Sequence, residues 1–530
     1  MSSLIKHITS NTLLSFLFLG WLCYFQLLSL ENFVWDDNVV FLLKSGWGSG
    51  SVAQGFDTDR PLLGRLLDSL LSMVGLQIAL WQSIGILARV LTGYFLFLLG
   101  KELSGSALFG RISGALFIVT PLLTIQSTAV IAATEFFLPL SLHILSVYLL
   151  AVGCRRRSYS LFLISYLLML IHINIVEYYW ASELCKLFLL AVWLLKGSIS
   201  RNLALLGTAL TVFNFVATLA VRLAFFPSRR EGTNILHAVE RFSPFEFCYR
   251  VLNDFVQILI LHPINAINSL LEYGFSLGTS LLILALSTSY AWSRKRTVPH
   301  QKLSPMFLLF LAMFFVSMLV IWGSGRQFYY GWGGSHFALP CVVWVCFVST
   351  ALLLSVNNFK MRSFLVTCTL SVFAVYQFSY SAFVVKDKSY RLASYRQALS
   401  ELPPSHDPDE FRFVRVISPP RIIMGQYLHL SYIELISDLW MAGAYAMNNG
   451  WAVNANDYLE SSQYFNDRGI HLEPESVDSL TLFVSYPRTP LDIKNIGDRK
   501  KLGRWGLEVG SVISMQTIKW LYVDEGSTKQ

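Results

Sequence analysis

Blocks of about 20 apolar residues recur along most of this chain, each long enough to cross a hydrocarbon core of about 30 Å. Inside that layer the backbone N–H and C=O groups must pair within their own segment, so the blocks are predicted as helices. Spans are expected near residues 11–30, 81–100, 108–126, 129–153, 158–175, 181–196, 203–225, 269–292, 305–322, 337–355 and 363–385. Only 14% of the 530 residues are charged, against about a quarter in a soluble domain. The expected fold class is a polytopic all-α membrane protein of about 11 transmembrane helices. The first block has no small-residue cleavage site and exceeds a signal-peptide core in length, so it reads as a retained span.

The net charge of +8 reads as topology rather than as a nucleic-acid surface. Lys6, Lys101 and Arg111, Arg155–Arg157, Lys196 and Arg201, Arg294–Arg296, and Lys360 and Arg362 fall on alternate loops. By the positive-inside rule that side is cytoplasmic. The N-terminus is then inside, and loops 31–80, 227–268 and 323–336 share the outer face with everything after residue 385. A bacterial inner membrane with a periplasmic C-terminal domain fits this pattern. The seven cysteines are scattered without metal-ligand spacing, and none follows Cys368.

Residues 1–385 form the expected transmembrane domain. Within its outer loops, Pro61 to Val74 is apolar but carries Arg65 and Asp68, three apart on one helical face. It is predicted as an interfacial helix lying along the membrane. A second such helix is predicted from Phe245 to Leu261, ended by His262-Pro263. Residues 386–530 form a small extracytoplasmic α/β domain. Its alternating runs Phe411–Val416 and Leu480–Val484 are predicted as strands, and Tyr432–Met447 as a helix. No 34-residue helical repeat is present.

The chemistry-bearing stretch is Glu31 to Pro61, between the first span and the first interfacial helix. It holds Trp35, the pair Asp36-Asp37, a Gly/Ser run, Asp57, Asp59 and Arg60. Glycosyl transfer from a lipid phosphate needs a carboxylate to take the acceptor hydroxyl's proton. It also needs cationic donors for the departing phosphate and an apolar groove for the lipid. Asp36 and Asp37 are the candidate bases, against the plainer reading of a loop or helix-capping pair. Asp57 and Asp59 read as solvated loop acids. Glu135 is the third catalytic candidate, being ionisable near a span end. Arg60 and Arg326 are the phosphate candidates, followed by His262 and His336. Trp35, Tyr330 and Trp332 are candidates for stacking on a sugar, or for anchoring at the membrane surface. His143 and His172 read as histidines packed between helices. No cofactor is specified; carboxylates suit a hard divalent cation, but nothing in the spacing fixes one.

Trp35-Asp36-Asp37 after the first span, followed by Arg60-Pro61-Leu62 opening a helix, resembles the GT-C superfamily of membrane glycosyltransferases. The nearest pattern is in the protein O-mannosyltransferases with transmembrane and tetratricopeptide regions, and in their bacterial relatives. Leu66 to Gly105, with Gly75 and Trp81, matches in spacing, and Glu135 in ATEFFLP falls near the place of an acidic residue those proteins often show. The resemblance implies a GT-C-like fold and transfer from a polyprenyl-phosphate sugar to a glycan, lipid or protein acceptor, with inversion. It favours Asp36 as the base. It covers residues 11–150 well and the rest in topology only. Gln82 and Arg89 stand where relatives carry His and Asn, and the tetratricopeptide tail is absent, so neither a mannosyl donor nor a protein acceptor carries over. A glycan ligase or polymerase of the cell envelope is the first alternative; the Asp-Asp and Arg-Pro-Leu pattern speaks against it. A lipid-linked sugar transporter would show internal repeats or charged, broken midplane helices, and a receptor-like scaffold is a further alternative.

Overall fold

The computed structural model describes residues 11–30, 50, 52–53, 60–75, 77–129, 131–176, 179–225, 243–273, 303–328 and 333–400, then seven short strands between 413 and 522. The first part is helical throughout. Helix α1 (Thr12–Tyr24) runs into a 3₁₀ turn at Phe25–Ser29. Asn11 caps it, its side-chain oxygen accepting from the N–H of Leu13 at 3.0 Å and of Leu14 at 3.3 Å. Then come α2 (Pro61–Val74), α3 (Ile78–Ser104), α4 (Ala107–Val119), the short α5 (Thr124–Thr128), α6 (Ile131–Arg156), α7 (Tyr159–Ile175), α8 (Trp180–Leu195) and α9 (Arg201–Phe225). Helices α10 (Pro244–Val256) and α11 (His262–Tyr273) are followed by α12 (Leu303–Gly323), α13 (Val342–Ser355) and α14 (Phe359–Ser400).

Seven described segments are long and apolar enough to cross a membrane: Thr12–Ser29, Ile78–Ser104, Ala133–Arg156, Arg201–Val221, Pro244–Leu271, Pro305–Gly323 and Phe359–Lys386. The protein is thus a multi-pass membrane protein of helical build. Six of the seven fall on expected spans. The expected spans at 108–126, 158–175 and 337–355 are shorter apolar helices, and most of 269–292 lies outside the described residues.

Pro244–Leu271 is a correction. His262-Pro263 does not end the helix there. A π-helical turn at Gln257–Leu261 joins α10 to α11, with the N–H of His262 bonded to the carbonyl of Gln257. Pro263 has no N–H and its ring would crowd the carbonyl one turn back. The wider π turn just before it gives that carbonyl room, so the helix continues instead of breaking.

Helices α3, α4 and α6 form the centre of the bundle. Gly110 and Gly114, four apart on α4, let two backbones meet: a Cβ on Gly110 would lie 2.3 Å from the Phe97 carbonyl, and one on Gly114 2.4 Å from that of Gly93. This is the small-residue packing of membrane helices, where close approach replaces the hydrophobic drive that lipid cannot supply. Between α4 and α6 the chain leaves the helix at Thr120 and passes through a 3₁₀ turn at Pro121–Leu123 and then α5. Buried backbone of this kind must be satisfied by side chains. Arg89 donates to the carbonyls of Leu123 (3.2 Å), Phe117 (3.3 Å) and Thr120 (3.1 Å) and to the Ser127 hydroxyl. Gln82 donates to Thr128 (3.0 Å) and Ala129 (3.4 Å), and Gln377 of α14 to Thr120 (2.6 Å). The rings of Tyr24 and Phe137 face the buried guanidinium at 5.0 and 5.1 Å.

The described strands past residue 412 form a five-stranded mixed sheet in the order β4-β5-β1-β6-β7 and a two-stranded one, β2-β3. The strands are β1 (Phe413–Ile417), β2 (Ile422–Ile423), β3 (Gln426–Tyr427), β4 (Ile433–Leu435), β5 (Gly443–Met447), β6 (Ser479–Val484) and β7 (Ile518–Tyr522). Central β1 runs parallel to β5 and β6, and β4 and β7 pair antiparallel outside them. The strands expected near 411–416 and 480–484 correspond to β1 and β6. The helix expected at 432–447 does not hold at β4 and β5: a short apolar run fits either period, and here pairing of β5 with β1, and of β4 with β5, decides it.

Candidate functional site

Helix α2 occupies the segment predicted for it. Pro61 takes the first helical position, where its missing N–H costs nothing, and the Arg60 carbonyl accepts from Gly64 at 3.0 Å. Leu63, Leu67 and Leu71 form one buried stripe while Leu62, Arg65 and Met73 are exposed. Fourteen residues rise about 21 Å, too little to span. The inward face holds Arg60 at the head of the helix, nearly buried.

Arg60 meets Glu135. Its Nη1 donates to Glu135 Oε1 at 2.7 Å, and the two side chains are only 8% and 11% exposed. Glu135 lies in the second turn of α6, and Pro139 follows it inside that helix. Proline four residues on cannot donate to the Glu135 carbonyl, so the start of α6 lacks one helical hydrogen bond. The next residue, Phe136, stacks on the His336 ring at 5.8 Å with 13° between planes. His336 packs on Phe337 at 4.2 Å, and the Arg326 guanidinium lies 5.5 Å from the Phe337 ring. Arg60, Glu135, His336 and Arg326, far apart in sequence, thus lie along one line of contacts.

The loop that carries Arg326 is tied down by Asp254, which sequence reasoning missed. Its carboxylate accepts from Trp322 Nε1 at 2.8 Å and from the Phe328 N–H at 3.1 Å. Gly325 makes the turn with φ +79°. His262 is placed elsewhere: it is buried, with its ring 5.9 Å from that of Phe373 on α14. Trp35, Asp36, Asp37, Asp57, Asp59, Tyr330 and Trp332 lie outside the described residues, so the carboxylates most suited to a divalent cation are not placed.

A second polar group sits deeper, between α6, α7 and α8. His143 Nδ1 is 2.8 Å from Glu183 Oε1, His172 Nε2 is 2.7 Å from the same oxygen, and Lys186 Nζ is 2.8 Å from Glu183 Oε2. All four side chains are at most 1% exposed. The two histidines do not merely pack between helices, then; they converge on a carboxylate. Sequence did carry a signal, Glu183 and Lys186 three apart inside a predicted span. The ligand-type atoms of His143, His172 and Glu183 lie within 4.8 Å of one another. Their closest contacts are hydrogen-bond lengths, whereas ligands sharing a tetrahedral Zn²⁺ stand ~3.3 Å apart. Lys186 already supplies a cation. The group as it stands is a hydrogen-bonded ion cluster.

No protein-family model matches this chain, and no curated protein matches it. Among solved structures it is similar to the Archaeoglobus fulgidus oligosaccharyltransferase. Against the apo form the TM-score is 0.42 at 11% identity, covering 98% of this chain and 75% of that one. Against the same enzyme tethered to an acceptor peptide containing the NVT sequon, the TM-score is 0.43 at 10% identity, covering 99% and 75%.

Proposed function

We propose that this protein is a membrane glycosyltransferase moving a sugar from a polyprenyl-phosphate donor to an acceptor outside the cytoplasm. The observation that carries the reading is the nearly buried Arg60–Glu135 pair. The arginine heading the Arg-Pro-Leu helix and the acid of the ATEFFLP segment, two residues of the GT-C-like pattern, meet across 75 positions of sequence. The donor class and the outer-face location rest on that pattern and on the basic loops. So does a cytoplasmic N-terminus with residues 386–530 outside.

In this reading the acceptor hydroxyl attacks the anomeric carbon, and the bond from that carbon to the phosphate oxygen breaks. The electron pair leaves with the phosphate, and Asp36 takes the proton, with Asp37 orienting it. Glu135 holds Arg60 in place at the head of α2, and the guanidinium is the group that meets the phosphate. Arg326 and His336 extend the cationic side of the site. Exchange of Asp36 for Asn removes the base but keeps size and hydrogen bonding. Transfer should then fall by about two to four orders of magnitude while lipid-linked donor still binds. Wild-type surface glycan in a deletion strain carrying Asp36→Asn, Asp37→Asn or both would rule the mechanism out.

The ion cluster of His143, His172, Glu183 and Lys186 favours a second reading, a lipid-linked sugar transporter, since charged groups inside the bundle mark many transport pathways. Translocation of labelled lipid-linked sugar by the purified protein in vesicles, without any transfer product, would select it.

A further inference from the structure

We propose that His172 and Glu183 hold a proton between them inside the helix bundle, which makes the His143–His172–Glu183–Lys186 group a proton-binding site. His172 Nδ1 lies 2.7 Å from the Leu168 carbonyl. A carbonyl only accepts, so Nδ1 carries a hydrogen. A neutral imidazole has one N–H, and this bond uses it. Nε2 of the same ring then carries only a lone pair, 2.7 Å from Glu183 Oε1, and no hydrogen bond reaches it as the structure stands. Two acceptors at that distance require a proton between them. The pair is imidazolium–carboxylate or imidazole–carboxylic acid, and the proton belongs to both partners.

Lys186 does not supply that proton. Its ammonium is spent on Glu183 Oε2 at 2.8 Å, the Ser146 hydroxyl and the Ser165 carbonyl at 3.4 Å. It also neutralises the carboxylate. The shared proton therefore leaves one net positive charge in an apolar interior, which favours exchange over permanent storage. The titratable groups facing the pair are His143 from α6, Tyr166 from α7, Cys185 and Lys186 from α8, and Tyr179 just before α8. Helices α9 and α12 pack here through Asn214 and Met313, which do not titrate.

Loss of the proton opposes two lone pairs and loosens α7 from α8. Tyr179 sits at that junction. Its ring stacks on His143 at 5.9 Å and its hydroxyl donates to the Phe136 carbonyl at 3.0 Å, next to Glu135. Proton occupancy is thereby linked to the first turns of α6. The proton site itself stands independently of glycosyl transfer, and its test does not use activity.

The experiment is ¹⁵N-histidine NMR of the full chain in lipid nanodiscs. The His172 signals are those missing in His172→Gln, or are assigned through backbone correlations in the wild type if that variant does not accumulate. Near neutral pH, His172 Nε2 should resonate as a protonated or strongly hydrogen-bonded nitrogen, and the signal should respond to pH. In Glu183→Gln the amide N–H can donate to Nε2 without titrating, so the pH response should vanish. A bare lone-pair signal from Nε2 across about pH 6 to 8, or an unchanged pH response in Glu183→Gln, would overturn the proposal. So would about one transition-metal ion per purified chain that is lost in His143→Ala.

Discussion

Arg60 and Glu135 are bound to each other before any substrate arrives, and that changes how either should be probed. Removing one partner of a nearly buried ion pair typically costs about 3–5 kcal/mol. Arg60→Ala should therefore lower the amount of folded protein as well as transfer. Arg60→Lys keeps the charge but loses the planar fork. It should accumulate normally and still lose most transfer, measured per folded molecule with lipid-linked donor. Full activity in Arg60→Lys would assign the phosphate contact to Arg326. Arg60→Met with Glu135→Leu removes both charges and should restore folding without restoring transfer, a non-additive outcome expected of residues in contact.

At the scale of elements, the bundle depends on contacts that hydropathy does not report. Gly114→Val on α4 places branched carbon where a Cβ already comes within 2.4 Å of the Gly93 carbonyl, so α3 and α4 must part. The expected result is a loss of folded protein in a detergent thermal-stability assay larger than that of Gly105→Val, although Gly105 sits at φ +70°, where a side chain is strained. Gln377→Leu should destabilise by about 0.5–1.5 kcal/mol, because the buried Thr120 carbonyl loses one of its two donors and keeps Arg89. The helices themselves were legible. Pro61–Val74 follows from a proline start and a single apolar stripe, and six spans follow from length alone. The helix through His262-Pro263 was not, since Pro normally stops a helix and a π turn leaves no mark in composition. The group around Glu183 was legible only in part: Glu183 and Lys186 stand three apart in a predicted span, but only folding brings three helices to one carboxylate. In the candidate site, charge type and position mark Arg60 and Glu135 singly, and no spacing rule joins residues 75 positions apart.

At the scale of the whole molecule, the basic residues predict that both ends of the chain lie on opposite sides of the membrane. A reporter active only outside the cytoplasm, fused after Gln530, should be active; a cytoplasmic signal would separate the outer loops and dissolve the proposed site. The ion cluster has a further consequence, for biogenesis. Helix α8 has only 16 residues and carries Glu183 and Lys186 in its first two turns, and each charge raises the cost of partitioning from the translocon by up to ~3 kcal/mol. Its counter-groups, His143, Ser146, Ser165 and His172, are on the two helices synthesised just before it. Helix α8 should then enter lipid poorly alone and well behind α6 and α7. Glycosylation mapping of nascent chains with and without those helices can read the difference, and it would make the order of synthesis part of how this membrane fold is reached.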